Sequence, residues 1–223
     1  EFTMLEVYTA YSDCDDMIRL TENLIKNAAT EVFGKLQFEF GGKTVDLADF
    51  KKVSFASLMK EAFGITPEED IAGWMPKLKK RGIEIEGKEL SRTQLLNILA
   101  ELIEPKAEHH PVFVTEMFSE LCPLAKNKPG NPLISERFEL FIGGLEVANA
   151  YSELNDPIEQ YERFSKDAEG NTEKIDADFI RSLEYGMPPA GGLGVGIDRL
   201  AMVLTNSDSI RDVILFPQLK KEI

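Results

Sequence analysis

The sequence predicts an α+β fold, an antiparallel sheet flanked by helices, with a small helical insert. Three observations carry this. Period-two strand patterns recur in pairs joined by glycine turns, at Gly41-Gly42 and at Gly143-Gly144. Amphipathic helical stretches lie between them without the strand–helix alternation of a doubly wound fold. Charge also divides the chain: residues 1–50 hold 10 acids and 4 bases, residues 51–110 hold 10 of each, and residues 111–223 hold 19 and 11. The neutral, helix-rich middle marks 51–110 as a helical insertion between a part at 1–50 and a remainder at 111–223.

Each element has its own signal. Residues 2–9 alternate, with Phe2, Met4, Glu6 and Tyr8 on one face of a strand. Ser12 or Asp13 caps a helix whose first turn carries Asp15 and Asp16, and Gly34 stops it. Residues 35–47 form a hairpin. In the middle, Ser54–Phe63 is a short amphipathic helix ending at Gly64. Thr66-Pro67-Glu68-Glu69 reads as a second helix start. Ser91 to about Ile103 is a third helix. The basic run Lys77 to Arg81 reads as a solvated face, with nucleic-acid contact as the minority alternative. Strands resume at Pro111–Met117, and Arg137–Glu153 holds a second hairpin. Helices follow from Asp156 to about Lys166 and from Asp176 to Gly186. A glycine-rich stretch, 191–196, leads into an apolar helix through Leu204.

Composition narrows the function. The formal net charge is −14, which weighs against a stand-alone nucleic-acid clamp or a protein held on anionic lipid. Hydrophobic residues at 43% and charged residues at 29% describe an ordinary folded domain. No apolar run approaches the roughly 20 residues that span a bilayer. The chain opens Glu1-Phe2-Thr3 without an initiator Met or a signal-like stretch, and a fragment is expected. Cys14 and Cys122 offer neither a disulfide framework nor metal spacing, which fits a reducing cytoplasm. His109 and His110 are the only histidines, so a zinc site or His-based triad is not expected.

Two stretches bear on chemistry. If Gly143-Gly144 is a two-residue turn, Phe141 faces Glu146 and Glu139 faces Ala148. Glu139 and Glu146 then share a face as diagonal neighbours about 7–8 Å apart. Such a pair can hold Mg²⁺, which takes one or two carboxylates and completes its shell with water and phosphate. Two exposed acids on a solvated face are the alternative. Asn149, Tyr151 and Glu153 also share a face, but parity sets them opposite Glu146. One extra residue near Val147–Ala148, a β-bulge, would bring the two groups together. The second stretch, Gly191 to Gly196, lacks both the Walker ending and the dinucleotide-fold spacing. Its glycines let backbone approach a ligand, and Arg199 follows where a helix begins. A tight turn with Arg199 in a buried ion pair is the alternative.

These residues carry a resemblance. Gly192 to Arg199, Gly-Leu-Gly-Val-Gly-Ile-Asp-Arg, looks like motif 3 of class II aminoacyl-tRNA synthetases. Arg137 to Asp156, containing Phe-Glu-Leu-Phe-Ile-Gly-Gly-Leu-Glu-Val-Ala-Asn-Ala-Tyr-Ser-Glu-Leu-Asn, narrows it to the lysyl branch. The opening residues 1–11 resemble the returning strand of motif 2. The closing Ile210–Pro217 resembles the C-terminal strand. The resemblance covers essentially the whole chain. On it, 1–50 and 111–223 are parts of the catalytic domain.

The resemblance implies ATP-dependent activation of lysine to lysyl-adenylate and transfer to tRNA(Lys). It implies Mg²⁺ held by Glu139 and Glu146, an ATP site with Phe2, Gly194, Gly196 and Arg199, and a lysine site with Glu6, Tyr8, Asn149, Tyr151 and Glu153. Within it Glu146 and Arg199 are the catalytic candidates. A cytoplasmic homodimer without membrane contact is the expected full-length form. Motif 1, the first strand of motif 2 and the anticodon barrel have no counterpart here, and the fragment alone is expected to be inactive. Tyr151 stands where many relatives carry Phe. The rivals are a lysine-activating paralogue that modifies a translation factor, and a non-catalytic binding module of the same fold.

Overall fold

The computed structural model describes residues 2–83, 90–106, 108–168 and 175–217. The chain runs β1 (Met4–Ala10), α1 (Cys14–Phe33), β2 (Gln37–Phe40), β3 (Lys43–Asp46), β4 (Lys51–Ser54), α2 (Phe55–Phe63), α3 (Ile71–Lys80) and α4 (Arg92–Ile103). It continues with β5 (Val112–Thr115), β6 (Asn127–Lys128), β7 (Asn131–Ser135), β8 (Arg137–Ile142), β9 (Leu145–Ser152), α5 (Pro157–Asp167), α6 (Ala177–Glu184), β10 (Ala190–Gly196) and α7 (Ile197–Thr205). Six strands form one sheet in the order β1-β10-β9-β8-β5-β4. Every neighbouring pair is antiparallel except β4 and β5. β2 and β3 form the expected hairpin at Gly41-Gly42, both at positive φ.

Caps placed the helices as their sequences imply. Asp13 caps α1 in a reciprocal capping box with Asp16, and Gly34 ends it in the left-handed conformation. Ser54, Ser91, Asp156 and Asp176 cap α2, α4, α5 and α6 through their side chains. Each such cap contributes about 1 kcal/mol.

The sheet has two unlike faces. Its back carries Phe138, Leu140, Ala148, Ala150, Leu193 and Val195, packed with Met17, Ile18 and Ile25 of α1 and with Leu200 and Val203 of α7 in one core. A second core lies on the front at the β5 end. There α2, α3 and α4 bury Phe55, Met59, Trp74, Leu95, Leu96 and Leu99 against Val112, Val114, Met117, Phe118 and Phe141. The helices between β4 and β5 therefore wall one side of the front face and leave the β1–β10–β9 floor open.

Three expectations are corrected. The helical insertion expected from residue 51 opens with a strand, β4, at the edge of the main sheet. Lys51 and Lys52 hide a strand pattern only four residues long, which a main-chain bond from Lys51 N to Pro111 O, 2.9 Å, ties beside β5. Thr66-Pro67-Glu68-Glu69 is a turn, and α3 starts at Ile71 under an Asp70 cap. Only half of a capping box forms: Thr66 N donates to Glu69 Oε2 at 3.3 Å, while Glu69 N donates to the main-chain Thr66 O at 3.4 Å, a turn bond, rather than to the Thr66 hydroxyl. Arg92 draws the Pro67 and Glu69 carbonyls away from helical bonding. Lastly, Ile210–Asp212 is a 3₁₀ turn, and 213–217 has no strand pairing. Of the basic run, Lys77 turns inward, pairing with Glu69 and donating to Gly64 O at 2.7 Å.

Candidate active site

The front face collects the predicted polar residues through one irregularity. Gly143 and Gly144 have φ of 60° and 81°, the two positive values of a type I′ turn, and Ile142 pairs with Leu145 and Phe141 with Glu146. Beyond them the register shifts: Leu140 pairs with Ala148 and Glu139 with Asn149, leaving Val147 unmatched. The expected bulge is present at Val147, and the expected Glu139–Ala148 pairing is corrected to Glu139–Asn149. Because Val147 adds one residue, Glu146 on one side of it and Asn149 and Tyr151 on the other point the same way. Arg137, Glu139 and Phe141 share that face from β8. Met4, Glu6 and Tyr8 share it from β1, paired to Gly196, Gly194 and Gly192.

Those three glycines form the floor. Gly192 sits beneath Tyr8 and Glu153: an added β-carbon would overlap the Glu153 carboxylate and come 3.2 Å from Tyr8 Cε1. Gly194 lies below Met4 and Asn149, and Gly196 below Arg199. The strand thus presents a trough with Tyr8 and Glu153 at one end and Arg199 at the other.

At the Arg199 end, Phe2, Glu146, Asn149, Gly194, Gly196 and Arg199 line a cavity of about 350 Å³. Arg199 Nη1 donates to Glu146 O at 2.8 Å and to Glu146 Oε2 at 3.4 Å. The pair is exposed rather than buried, with Arg199 53% accessible. Asn149 Nδ2 donates to Glu146 Oε1 at 3.3 Å. Phe2 is held by its neighbour: Thr3 N donates to Asp198 Oδ2 at 2.6 Å, and Ile197 N to Thr3 O at 3.1 Å.

Glu139 lies further along β8 in a smaller cavity of about 180 Å³ that Glu146 and Arg137 also line. Burial pushes the Glu139 carboxyl above the usual carboxylate range; Arg137 opposes this and Glu146 adds to it. Arg137 Nη2 donates to Glu139 Oε1 at 2.8 Å. Glu139 Oε2 has no hydrogen-bond partner among the described residues. Among those residues no group of three or more His, Cys, Asp or Glu forms a metal cage. Two oxygen-bearing carboxylates, one with a free oxygen, still suit a hard cation that takes its other ligands from phosphate and water.

At the opposite end, burial raises the Glu153 carboxyl to about 7. It has no ion-pair partner among the described residues, so nothing there offsets the loss of solvent. Tyr151 is pushed up to about 12, by burial first and then by the charges of Glu153 and Tyr8. Tyr8 OH donates weakly to Glu6 Oε2 at 3.5 Å. Glu6 is exposed, as is Tyr8. The arrangement is a half-buried anion between two phenols, at a distance along one strand from an acid pair and an arginine.

Three contributors escaped the sequence reading: Arg137, Met4 and Asp198. Arg137 had a usable signal, since it stands two residues before Glu139 and shares its face. Asp198 opens α7, where an acid is favoured on the dipole alone, so its bond to Thr3 was hidden.

The family of class II tRNA synthetases (D, K and N) matches residues 1–220. The chain is 45% identical to the lysine–tRNA ligase of Bacillus subtilis, over 99% of this chain and 46% of that protein. It is 44% identical to the lysine–tRNA ligase of Staphylococcus aureus, over 100% and 46%. For the lysine–tRNA ligase of Thermosipho melanesiensis the values are 44%, 97% and 44%. The chain spans about half the length of these curated relatives. With the glycine-floored trough, the bulged hairpin and a family match across almost its full length, this chain belongs to the class II tRNA synthetases of the D, K and N group.

Proposed function

We propose that this chain holds the site at which a lysine–tRNA ligase joins lysine to ATP and passes it to tRNA(Lys). The observation that carries the reading is the half-buried, unpaired Glu153 carboxylate beside Tyr8 and Tyr151, over a floor without side chains. A lone, half-buried carboxylate beside two phenols favours a side chain with a terminal cation of matching reach. The relatives' names point to the same amino acid.

In this reading Glu153 and Tyr8 hold the ε-ammonium of lysine, while Asn149 and Tyr151 shape the slot and Glu6 stands at its edge. Phe2 and Arg199 hold the adenine between a ring and a guanidinium, a contact worth about 0.5–2 kcal/mol. Gly194 and Gly196 leave room for the nucleotide against the sheet. Glu139 and Glu146 would hold Mg²⁺, which when bound supplies positive charge against the phosphates. The lysine carboxylate oxygen attacks the α-phosphorus, the bond to the bridging oxygen breaks, and pyrophosphate leaves. A ribose hydroxyl of tRNA then attacks the lysyl carbonyl and AMP departs. The residues act by placing both substrates along one strand. A cytoplasmic homodimer is the working form under this proposal.

Lysine-dependent exchange of labelled pyrophosphate into ATP, by the protein that carries this chain, tests it. Exchange with lysine and none with aspartate or asparagine is the expected result. Exchange driven by either of the other two overturns the lysine assignment.

A further inference from the structure

Arg137 is a largely buried charged group near the trough that the reaction itself leaves without a task. Its side chain and that of Glu139 are each only 20% accessible. Nη2 reaches Glu139 Oε1 at 2.8 Å, and Nη1 donates to Leu121 O at 3.2 Å and to Cys122 Sγ at 3.6 Å. Nε is buried without a hydrogen-bond partner among the described residues. A guanidinium kept only to support the 119–122 turn has no need of a sheet carboxylate, nor of an orphaned N–H, which is expensive to bury. The fork is braced from several sides. Arg163 Nη1 donates to Ala125 O at 2.7 Å, and Gln160 Nε2 to Pro123 O at 3.1 Å, both from α5. Arg92 of α4 grips Glu120 in the same turn at 2.8 Å. The platform under Arg137 is thus tied to elements on both sides of it.

The contact is one-sided. Arg137 occupies one oxygen of Glu139, whose side chain lines the cavity shared with Glu146. A carboxylate on a flexible stem would otherwise rotate between several rotamers. Holding one oxygen fixes the direction of the second. Glu146 is held differently, by the exposed Arg199 and by Asn149.

We infer that Arg137 is a positioning residue that orients Glu139 as a metal ligand. The inference rests on the proposed role of Glu139 and Glu146 with Mg²⁺. Partners behind a metal ligand typically change metal affinity by about 10–100-fold when lost. Arg137 acts through Glu139 and touches no substrate.

The test uses Mn²⁺ as probe, read by electron paramagnetic resonance with a non-hydrolysable ATP analogue on the full protein, without turnover. Arg137→Gln is expected to weaken Mn²⁺ binding about tenfold or more while leaving lysine affinity, measured by calorimetry, unchanged. Arg137→Lys, which keeps the charge but loses the fork, is expected to fall between. It serves in place of the Gln variant should that one not fold. Wild-type Mn²⁺ affinity in a folded Arg137→Gln or Arg137→Lys protein overturns the inference. Glu139→Gln separates the two levels: if it weakens Mn²⁺ binding and the Arg137 variants do not, only the positioning role falls. If Glu139→Gln has no effect, the metal reading of the site falls as well.

Discussion

Arg199, on the first turn of α7, closes onto Glu146 of β9, with one nitrogen 2.8 Å from its main-chain carbonyl and 3.4 Å from its carboxylate. The guanidinium is therefore set by backbone on one side and left open on the other, where Phe2 lines the same cavity. A planar cation fixed at its edge is suited to lie flat against a purine.

From that geometry Arg199→Lys keeps a charge near Glu146 and loses the plane. The ATP KM of pyrophosphate exchange is expected to rise by about 2–30-fold, the equivalent of a lost 0.5–2 kcal/mol stacking contact. The lysine KM is expected to stay where it was, because Glu153 stands at the opposite end of the trough. A rise in lysine KM alone would mean that Arg199 serves the amino acid instead.

The Glu153 carboxyl titrates near 7 because burial disfavours its charge. Only the ionised form attracts an ammonium, so lysine affinity should fall about tenfold per unit as pH drops below 7, and level off above it. Stability moves the other way. The folded value lies above the ordinary value of 4.5, so the fold prefers the protonated acid. The contribution is fully present below about 4.5 and is lost as pH rises through 7. Glu153→Gln is therefore expected to raise the melting temperature of the ligand-free protein near pH 8 and to leave it unchanged near pH 4. It should also abolish lysine saturation. A lysine KM untouched by this substitution removes Glu153 from the ammonium site.

Gly192→Ala places a methyl group where the Glu153 carboxylate lies, and 3.2 Å from Tyr8 Cε1. Its backbone is an ordinary extended strand, so the fold tolerates alanine. Glu153, as the end of a flexible side chain, must move. Lysine affinity is expected to drop by about tenfold or more, for an approximate loss of one charge-assisted contact. Binding of an ATP analogue, measured by calorimetry, should persist. Equal loss of both would show that Gly192 supports the whole strand rather than the slot.

Much of this was legible from the chain alone, for local reasons. Asp13, Ser54, Ser91, Asp156 and Asp176 each satisfy the first amides of a helix that follows at once, so their meaning does not depend on distant contacts. The bulge at Val147 was readable as a conflict of parity between Glu146 and Asn149. What stayed hidden depends on partners far along the chain. β4 is a strand because Pro111 and β5 lie beside it, 60 residues on in sequence at Lys51–Pro111. Thr66–Glu69 fails as a helix start because Arg92 takes its carbonyls. Arg137 finds its role only once β8 is laid beside the 119–122 turn.

Arg92 offers a last prediction, about the helices rather than the chemistry. Its guanidinium lies 4.2 Å from the centre of the buried Trp74 ring. Nε meets both oxygens of Glu120 at 2.8 and 2.9 Å, and Nη2 donates to Pro67 O at 2.8 Å. Nη1 bonds Glu69 O. One side chain thus joins α4, the turn before α3, the ring of α3 and the 119–121 turn of the sheet domain. Arg92→Ala leaves Glu120 unpaired and two carbonyls unanswered, and it strips one face of Trp74. A loss of about 2–4 kcal/mol is expected, since hydrogen bonds to charged groups and half-buried ion pairs lie in that range. Urea unfolding followed by Trp74 fluorescence reads it directly, because Trp74 is the only tryptophan. Arg92→Lys keeps the charge but can serve only some of these partners, and should recover less than half of the difference. If Arg92→Ala unfolds at the wild-type urea midpoint, the four contacts do not hold the helices to the sheet.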